Sequence, residues 1–285
     1  MSAFAVARGV TRRFGKVLAL REAHLSVGPG EVVGLVGANG AGKTTLIRVL
    51  LGLISPTAGA VSLFGTSPSI ATRARIGYVP QGLGLHPDLT VAENLAFVAA
   101  AYRARSPRLA GDLASFRDRR VADLPLGVQR RVAFALAAGH QPELLILDEP
   151  TSGVGPLGRV QLWDGIRRAA DAGAGVLVST HHMSEAEQCD RLVALAAGRV
   201  VAQGTVQEIV GAARVVRVRS DRWEDAFHGL DRAGFRLGLV GRSLRVVQAS
   251  ADAVRAALAS AGIPAQIDEV PASFEEAFVL LASDR

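Results

Sequence analysis

Apolar positions along the first 200 residues recur with two spacings, and together they predict alternating strands and helices. Short runs that are almost entirely apolar predict buried strands, whereas apolar residues three or four positions apart predict amphipathic helices. Their alternation is typical of a parallel sheet covered by helices. The predicted strands cover residues 4–10, 17–27, 31–36, 61–64, 76–79, 144–147, 175–179, 192–196 and 199–202, and the predicted helices cover residues 45–53, 90–120, 129–138 and 158–172.

The pattern changes near residue 210, where a second unit is predicted. Val and Arg nearly alternate over residues 214–219, as in a strand with one solvent-facing side. We interpret the remainder as a small α+β unit, with a ferredoxin-like arrangement as the candidate. The expected domains are therefore 1–208 and 209–285. In the second domain the predicted strands cover residues 214–219, 235–240, 243–247 and 266–270, and the predicted helices cover residues 223–233, 251–261 and 273–281.

Composition and charge limit the class of protein and its expected cellular compartment. The chain has one cysteine, Cys189, so no intramolecular disulfide is expected, which fits a reducing compartment. No apolar run approaches about 18 residues and no secretory signal is visible, so we expect a protein on the cytoplasmic side without a transmembrane helix. The net charge is +6, but the arginines are scattered and no basic run interleaves with aromatic residues. This distribution favours a membrane surface or an ordinary solvated face over nucleic acid.

A glycine-rich loop follows the strand predicted at 31–36 and precedes the helix predicted at 45–53. Its sequence, GANGAGKT, fits G-x-x-x-x-G-K-[ST], in which glycines let backbone N–H groups surround a phosphate. The lysine places a positive charge on the β- and γ-phosphates, and the hydroxyl that follows it can bind Mg²⁺. A chance glycine-rich turn is the alternative, and the flanking strand and helix disfavour it. The predicted phosphate-binding residues are Gly37, Ala38, Asn39, Gly40, Ala41, Gly42, Lys43 and Thr44.

Two adjacent carboxylates end the strand predicted at 144–147. Asp148 is placed to hold Mg²⁺, and Glu149 is placed to polarise a water that attacks the γ-phosphate. The alternative is that the two acids only cap a strand-to-loop turn. Together with the phosphate loop, they favour a catalytic pair.

Three further residues are weaker candidates. His181 follows the strand predicted at 175–179, at the edge where ligands bind in parallel sheets, although His182 beside it competes for the assignment. Gln81 follows the strand predicted at 76–79 and is equally consistent with an Mg²⁺-binding amide and with an exposed loop residue. Phe14 lies between the first two predicted strands, where packing at a strand end is favoured over stacking on adenine.

Taken in this order and spacing, the segments GANGAGKT, YVPQ, LLILDEPTSG and STHH, with a glycine-containing turn (residues 124–128) ahead of an Arg-rich helix, resemble the ATP-binding subunit of an ABC transporter. The resemblance runs from about Ala3 to Thr205. The tail, with ASFEEAFVLL, is similar to the C-terminal extension of ABC-2-type export ATPases. The implied fold is a P-loop NTPase of the ABC type: α/β, with a mixed sheet core, an antiparallel β edge, a small helical subdomain at about 82–128 and an α+β appendage.

The resemblance also implies roles for individual residues. Phe14 matches the aromatic residue that stacks on adenine, Gln81 the glutamine that senses Mg²⁺, Glu149 the general base and His181 the switch histidine. Thr45 joins the phosphate loop, and Gly127 matches a signature glycine that faces the ATP of a second subunit. The implied cofactors are ATP and Mg²⁺, with Mg²⁺ held by Thr44, Gln81 and Asp148.

Two departures from the family pattern lie on the surfaces that would face that second subunit. The usual L-S-G-G-Q falls on LPLGV, so Pro125 stands where a serine would donate to the γ-phosphate and Leu126 replaces a glycine. Gly155 stands where the pattern has an aspartate that links the two sites. LPLG also resembles a variant found in multidrug-type ABC-2 exporters. The alternative is therefore that this variant segment is functional.

The resulting hypothesis is an ATPase that powers export of a drug, lipid or polysaccharide-like cargo. Its implied partners are ABC-2-type membrane permease subunits and a second ATP-binding subunit, with no nucleic acid, at the cytoplasmic face of the membrane. One alternative is a weakly hydrolysing or regulatory partner in a heterodimeric transporter. Another is an ABC-type ATPase that acts on nucleic acid, although no coiled-coil arm, tandem duplicate or basic linker is present.

Overall fold

The computed structural model describes residues 3–103, 109, 111–211 and 213–283 and forms two compact units, Met1–Gln203 and Gly204–Arg285. The division predicted from the sequence lies a few residues later, after residue 208. The strands are β1 (Ala5–Phe14), β2 (Val17–Val27), β3 (Val32–Val36), β4 (Ala58–Leu63), β5 (Ile76–Val79), β6 (Leu144–Asp148), β7 (Gly175–Thr180), β8 (Arg191–Ala196), β9 (Arg199–Gly204), β10 (Arg214–Arg219), β11 (Leu237–Val240), β12 (Ser243–Val247) and β13 (Gln266–Pro271). The α-helices are α1 (Lys43–Leu50), α2 (Ile70–Arg73), α3 (Val91–Tyr102), α4 (Leu126–Ala138), α5 (Pro156–Asp171), α6 (Met183–Ala186), α7 (Val206–Gly211), α8 (Trp223–Arg232), α9 (Ala251–Ser260) and α10 (Phe274–Ser283).

A six-stranded sheet organises the first unit, in the order β5-β6-β7-β3-β8-β9. The neighbours from β5 to β8 pair in parallel, so these strands end at one edge. Strands β3, β6 and β7 are buried along their whole length. Burial on both faces explains their continuous apolar runs, since a fully buried aliphatic side chain contributes about 1.5–3 kcal/mol.

A three-stranded antiparallel sheet, in the order β2-β1-β4, forms the second layer of this unit. The apolar face of α1 contacts both sheets, and Leu46, Ile47 and Leu50 are fully buried. The expected mixed core with an antiparallel β edge is thus confirmed. The phosphate loop is anchored between the two layers at the start of α1.

A smaller apolar cluster joins α3 to α4. Val91 and Leu95 of α3 pack with Val132 and Leu136 of α4, and the 3₁₀ turn Val121–Asp123 closes the cluster. The helical subdomain expected at about 82–128 therefore shares its core with the remainder of α4. A capping box starts α3, because Thr90 and Glu93 exchange hydrogen bonds.

Two helix predictions in this region were wrong. The helix predicted at 90–120 ends at Tyr102, where Arg103 turns left-handed, and a 3₁₀ helix follows at Gly111–Phe116. Residues 104–108 and 110 of that prediction lie outside the described residues. The helix predicted at 129–138 begins earlier, at Leu126, because Pro125 has the extended conformation of an N-cap and a helix follows it directly. The predicted turn at 124–128 is thereby largely helical.

Other boundaries differ by a few residues. The phosphate-loop helix begins at Lys43 rather than at residue 45, because Gly42 is left-handed and ends the loop. Phe14 is the last residue of β1 and pairs with Val17, so it does not lie in a loop as predicted. The short helices α2, α6 and α7 were missed, since four to six residues are too few to show a helical period. The chain turns from β8 into β9 at Ala197 and Gly198, both with positive φ.

The second unit is a split β-α-β-β-α-β fold. Its sheet has the order β11-β12-β10-β13, and all three pairings are antiparallel, which matches the ferredoxin-like candidate. Val216 and Val218 of β10 face the helices, whereas Arg217 and Arg219 both pair with Asp268 on β13. The two guanidinium groups lower the pKa of Asp268. The expected strand with one solvent-facing side is therefore confirmed.

No helix within the described part of the chain is both long and apolar enough to cross a bilayer. Cys189, the single cysteine, is buried near the end of the first unit's α6. Burial, and secondarily the negative charge of Asp190, raises the pKa of its thiol to about 12. The thiolate, which is the reactive form, is therefore scarce near neutral pH.

Because the thiol stays protonated and buried, we expect Cys189 of the folded protein to react with iodoacetamide at pH 8 at least about 100-fold more slowly than in urea. Mass spectrometry of the single possible adduct measures both rates. Equal rates in the folded and unfolded chain would contradict the burial of this thiol.

Candidate active site

The phosphate loop continues from the end of β3 into α1. A Cβ atom built on Gly37 would lie 2.3 Å from the Leu195 carbonyl oxygen, and one on Gly42 would lie 2.7 Å from the Ala19 oxygen. Gly40 and Gly42 also have positive φ values of 81° and 110°. At these positions only glycine fits, as the sequence pattern predicted. The loop residues Ala38, Asn39 and Gly40 are exposed.

The beginning of α1 offers its backbone N–H groups to the loop. Gly42 supplies no side-chain cap, and no acidic residue lies in the first turn. The first N–H groups of the helix therefore have no competing side-chain acceptor, and the helix dipole favours an anion there. Thr45 lies in this turn and is half-buried.

Lys43 extends into the loop rather than to the surface. Its Nζ donates hydrogen bonds to the carbonyl oxygens of Gly37 at 2.8 Å and Ala38 at 3.3 Å. The same Nζ lies 3.5 Å from Oε1 of Glu149. One buried cation thus joins the phosphate loop to the acid pair at the end of β6.

Asp148 connects three elements through its two carboxylate oxygens. Thr44 Oγ1, on α1, donates to Oδ2 at 2.9 Å, and Ser179 Oγ, on β7, donates to Oδ1. Asp148 and Ser179 are opposite each other in the parallel register and are fully buried. A buried carboxylate is tolerated only when its oxygens are hydrogen-bonded in this way.

Glu149 has a strained backbone that its neighbours hold in place. Its φ is 52°, a left-handed value that is unfavourable for a residue with a side chain. Its N–H donates to Ser179 Oγ at 3.0 Å, and its carbonyl accepts from Nη1 of the buried Arg130 at 2.8 Å. Burial lowers the pKa of Arg130, whereas the charge of Glu149 opposes that shift. The Glu149 carboxylate lies toward the phosphate loop, with Oε1 3.5 Å from Lys43 Nζ.

His181 lies beside the Glu149 carboxylate. Its Nδ1 is 3.3 Å from Oε1 of Glu149, without the alignment of a hydrogen bond, and the side chain is 30% exposed. His182 packs against His181 at 4.2 Å between ring centroids and has no contact of this kind with Glu149. Because His181 and not His182 contacts the Glu149 carboxylate, His181 is the better candidate for a site residue.

The other candidates are not brought into this cluster. Gln81 follows β5 at the same sheet edge but is exposed, and its side chain has no hydrogen-bond partner among the described residues. Phe14 is 44% exposed, with the Arg12 guanidinium 4.5 Å from the ring centroid. Gly127 lies in the first turn of α4, where an added Cβ would be 3.6 Å from Val154. Leu126 beside it is exposed.

Four polar residues of the site were missed in the sequence. Ser179 and Arg130 hold Asp148 and Glu149, while Thr151 donates to Glu185. All four are buried, and a buried polar residue cannot be recognised from one sequence. For Ser179 one signal was available: its place at the end of a parallel strand, facing the end of β6.

The donor set fits a nucleotide with Mg²⁺. Thr44, Asp148 and, farther away, Gln81 offer hydroxyl, carboxylate and amide oxygens, which Mg²⁺ prefers. Within the described residues, no three His, Cys, Asp or Glu side chains form a metal cluster. A cation here would therefore depend largely on phosphate oxygens, as is usual for Mg²⁺ bound together with a nucleotide.

The chain is similar to one known protein family and to curated proteins. The family model described as ABC transporter matches residues 20–152. The Nod factor export ATP-binding protein I of Cupriavidus metallidurans is 35% identical over 297 residues, covering 99% of this chain and 98% of that protein. The probable multidrug ABC transporter ATP-binding protein YbhF of Escherichia coli K12 is 37% identical over 215 residues, covering 71% of this chain. The match spans only 37% of YbhF.

Solved structures share the fold. An ATP-binding subunit of an ABC transporter aligns with a TM-score of 0.64 at 29% identity, covering 73% of this chain and 92% of that one. A dimeric, post-hydrolysis ATP-binding cassette bound to ADP and Pi aligns with a TM-score of 0.62 at 25% identity. That alignment covers 70% of this chain and 98% of the cassette.

The role of Ser179 can be tested by Ser179→Ala. The variant loses the hydroxyl that serves both Asp148 and Glu149, so we expect the free energy of unfolding to fall by about 1–3 kcal/mol. Urea denaturation measures it, and Ser184→Ala, at an exposed position of α6, is the control, expected within about 0.5 kcal/mol of the parent. Equal stability of the Ser179 variant and the parent would show that these hydrogen bonds are not formed.

Proposed function

The chain belongs to the ABC transporter family of ATP-binding proteins, and from that premise we propose that it hydrolyses ATP to drive export through separate membrane permease subunits. The observation that carries the proposal is the convergence of Lys43, Glu149 and His181 beside the phosphate loop, with Glu149 Oε1 within 3.5 Å of both other side chains. A phosphate-binding loop alone binds nucleotides. An acid and a histidine held beside it add the means to activate water.

Each residue has a part in the proposed reaction. The loop 37–42 and the first turn of α1, including Thr45, bind the phosphates of ATP, and Lys43 neutralises their charge. Glu149 orients a water molecule for attack and accepts its proton, while His181 donates to the γ-phosphate side of the site. Phe14, exposed at the end of β1, stacks on the adenine.

Thr44, Asp148 and Gln81 are the residues that would hold Mg²⁺. When bound, the ion neutralises charge that develops on the phosphate oxygens. The hydrogen bond between Thr44 and Asp148 supports this assignment, because both oxygens are already directed to one point. Gln81 needs to turn inward from its exposed position, consistent with a residue that responds to the nucleotide.

We further infer the assembly in which this site works. Residues 1–208 form the ATP-binding domain, and its helical subdomain at about 82–128 contacts ABC-2-type permease subunits. Residues 209–285 form the C-terminal extension. The protein is peripheral at the cytoplasmic face of the membrane, and Gly127 of a second ATP-binding subunit completes each site. One relative is named as the ATP-binding protein of a probable multidrug ABC transporter and another as a Nod factor export ATP-binding protein, which supports a drug, lipid or polysaccharide-like cargo.

A second candidate function is favoured by two positions. Pro125 begins α4 without a side-chain cap bond, and Gly155 begins α5 in the same way. Both stand where the family pattern has hydrogen-bonding side chains that face a second subunit. The second candidate is therefore a weakly hydrolysing partner that pairs with a different ATP-binding subunit.

The catalytic assignment is tested by Glu149→Gln. Because the amide cannot accept a proton, we expect kcat for ATP to fall at least about 100-fold while ATP binding persists. The same variant is expected to elute as a dimer in size-exclusion chromatography with ATP. Glu224→Gln, at an exposed position of the second unit, is the matched control and should leave kcat unchanged. Turnover of Glu149→Gln at the parent rate would refute the assignment of the base.

The two candidate functions differ in what the purified chain does alone. The first predicts measurable ATPase activity and an ATP-bound homodimer of Glu149→Gln. The second predicts that the purified chain alone shows neither, and that ATPase activity and an ATP-bound heterodimer appear only after a different ATP-binding subunit is added. Salt-dependent DNA binding by the purified chain would instead support a role on nucleic acid.

A further inference from the structure

Glu185 is a buried carboxylate to which the proposed reaction assigns no role. It lies on α6, just after the loop with His181, and is 2% exposed. Its Oε2 accepts a hydrogen bond from Thr180 Oγ1 at 2.7 Å, and its Oε1 accepts one from Thr151 Oγ1 at 2.5 Å. Arg159 Nε is 3.5 Å from the same Oε1. The carboxylate therefore contacts three separate segments.

Two of these segments adjoin residues of the candidate active site. Thr151 is two residues after Glu149, and Thr180 immediately precedes His181. Thr180 Oγ1 also accepts a hydrogen bond from the N–H of His182 at 3.0 Å. The Glu185 carboxylate thus connects the loop that follows Glu149 to the loop that bears His181.

The third segment is the beginning of α5. Its N-cap, Gly155, has no side chain to bond to a neighbouring loop, and Arg159 lies in the first turns of the helix. Through Arg159 and Glu185, the start of α5 still has a charged connection to both loops. That connection lies within one subunit.

Energetics favour a rigid connection. An ionised carboxylate is only an acceptor, and burying it costs several kcal/mol unless donors surround it. Here two hydroxyl groups donate hydrogen bonds to the carboxylate, and the Arg159 guanidinium group lies 3.5 Å away as its counter-charge. A shift of either loop would leave a buried charge with fewer partners, so the loops are expected to move together or not at all.

We propose that Glu185 is a positioning residue that holds Glu149 and His181 in the relative geometry that ATP hydrolysis needs. This inference rests on the proposed ATPase function. Glu185 does not contact the phosphate loop, so its effect is expected on turnover rather than on nucleotide binding.

The test compares Glu185→Gln with Glu187→Gln, an exposed glutamate two residues farther along the chain. The amide keeps the size of the side chain but loses one acceptor and the charge. We expect kcat for ATP to fall about 10- to 100-fold in Glu185→Gln, the effect of a displaced catalytic group. KM for ATP and Kd for ADP are expected to stay within about twofold of the parent, since the phosphate loop is untouched. Glu187→Gln should match the parent in all three.

Thr180→Val provides a second approach that leaves no cavity. It removes only the hydroxyl between Glu185 and the His181 loop. If Glu185 acts through this hydroxyl, the double variant Glu185→Gln/Thr180→Val should lose no more of kcat than about the larger single loss. Additive losses would mean that the two residues act separately, and a Glu185→Gln kcat within twofold of the parent would overturn the proposal. A parallel loss of kcat and ADP binding would overturn it as well, by showing a merely structural role.

Amide hydrogen exchange separates this proposal from the ATPase function on which it rests. In Glu185→Gln, exchange in residues 149–154 and in residues 180–182 should accelerate together, with no change in the phosphate loop. If the parent protein hydrolyses no ATP, the proposed function fails, and the exchange pattern still decides whether Glu185 connects the two loops. Acceleration in only one segment, or in neither, would refute the connection.

Discussion

The hydrogen bond from Ser179 to Asp148 is the interaction on which the site depends, and the parallel pairing of β6 with β7 makes it possible. Because the two residues are opposite each other in that register, the serine hydroxyl meets the carboxylate at the edge of the sheet. The same hydroxyl accepts the Glu149 N–H, so one buried side chain orients both acids. Pairing β3 on the other side of β7 places the phosphate loop within reach of that edge.

Strain at Glu149 follows from this arrangement. Placing a left-handed residue directly after β6 carries an energetic cost. The hydrogen bonds that Glu149 accepts from Arg130 and donates to Ser179 offset it. The result is a carboxylate that points across the sheet edge toward Lys43. Arg130 comes from α4, the helix that starts in the unusual LPLG segment, so one helix carries both this segment and the guanidinium group that binds the Glu149 carbonyl.

Sequence patterns predicted most of this fold because its strands are buried on both faces and its loop needs glycine at defined positions. The strands at 17–27, 76–79, 214–219 and 243–247 agree with the structure to the residue. Residues 90–120 were mistaken for one helix because their apolar spacing continues past Tyr102. Pro107 and Gly111 were local signals against a continuous helix, and they were overlooked. Pro125 offered a signal that was missed, since an extended proline can begin a helix at the next residue.

The sequence by itself determined the chemistry that is available: a phosphate loop, two adjacent acids, a histidine after a strand, and the departures at Pro125 and Gly155. These are local properties, since each depends on residue type and on spacing along a few positions. Only the tertiary structure decided which groups meet. It separated His181 from His182 by contact with Glu149 and left Gln81 exposed. It also brought Thr151, Thr180 and Arg159 to one buried carboxylate at Glu185. Those contacts join segments up to 34 residues apart, and strand register and burial, which no single segment encodes, determine them.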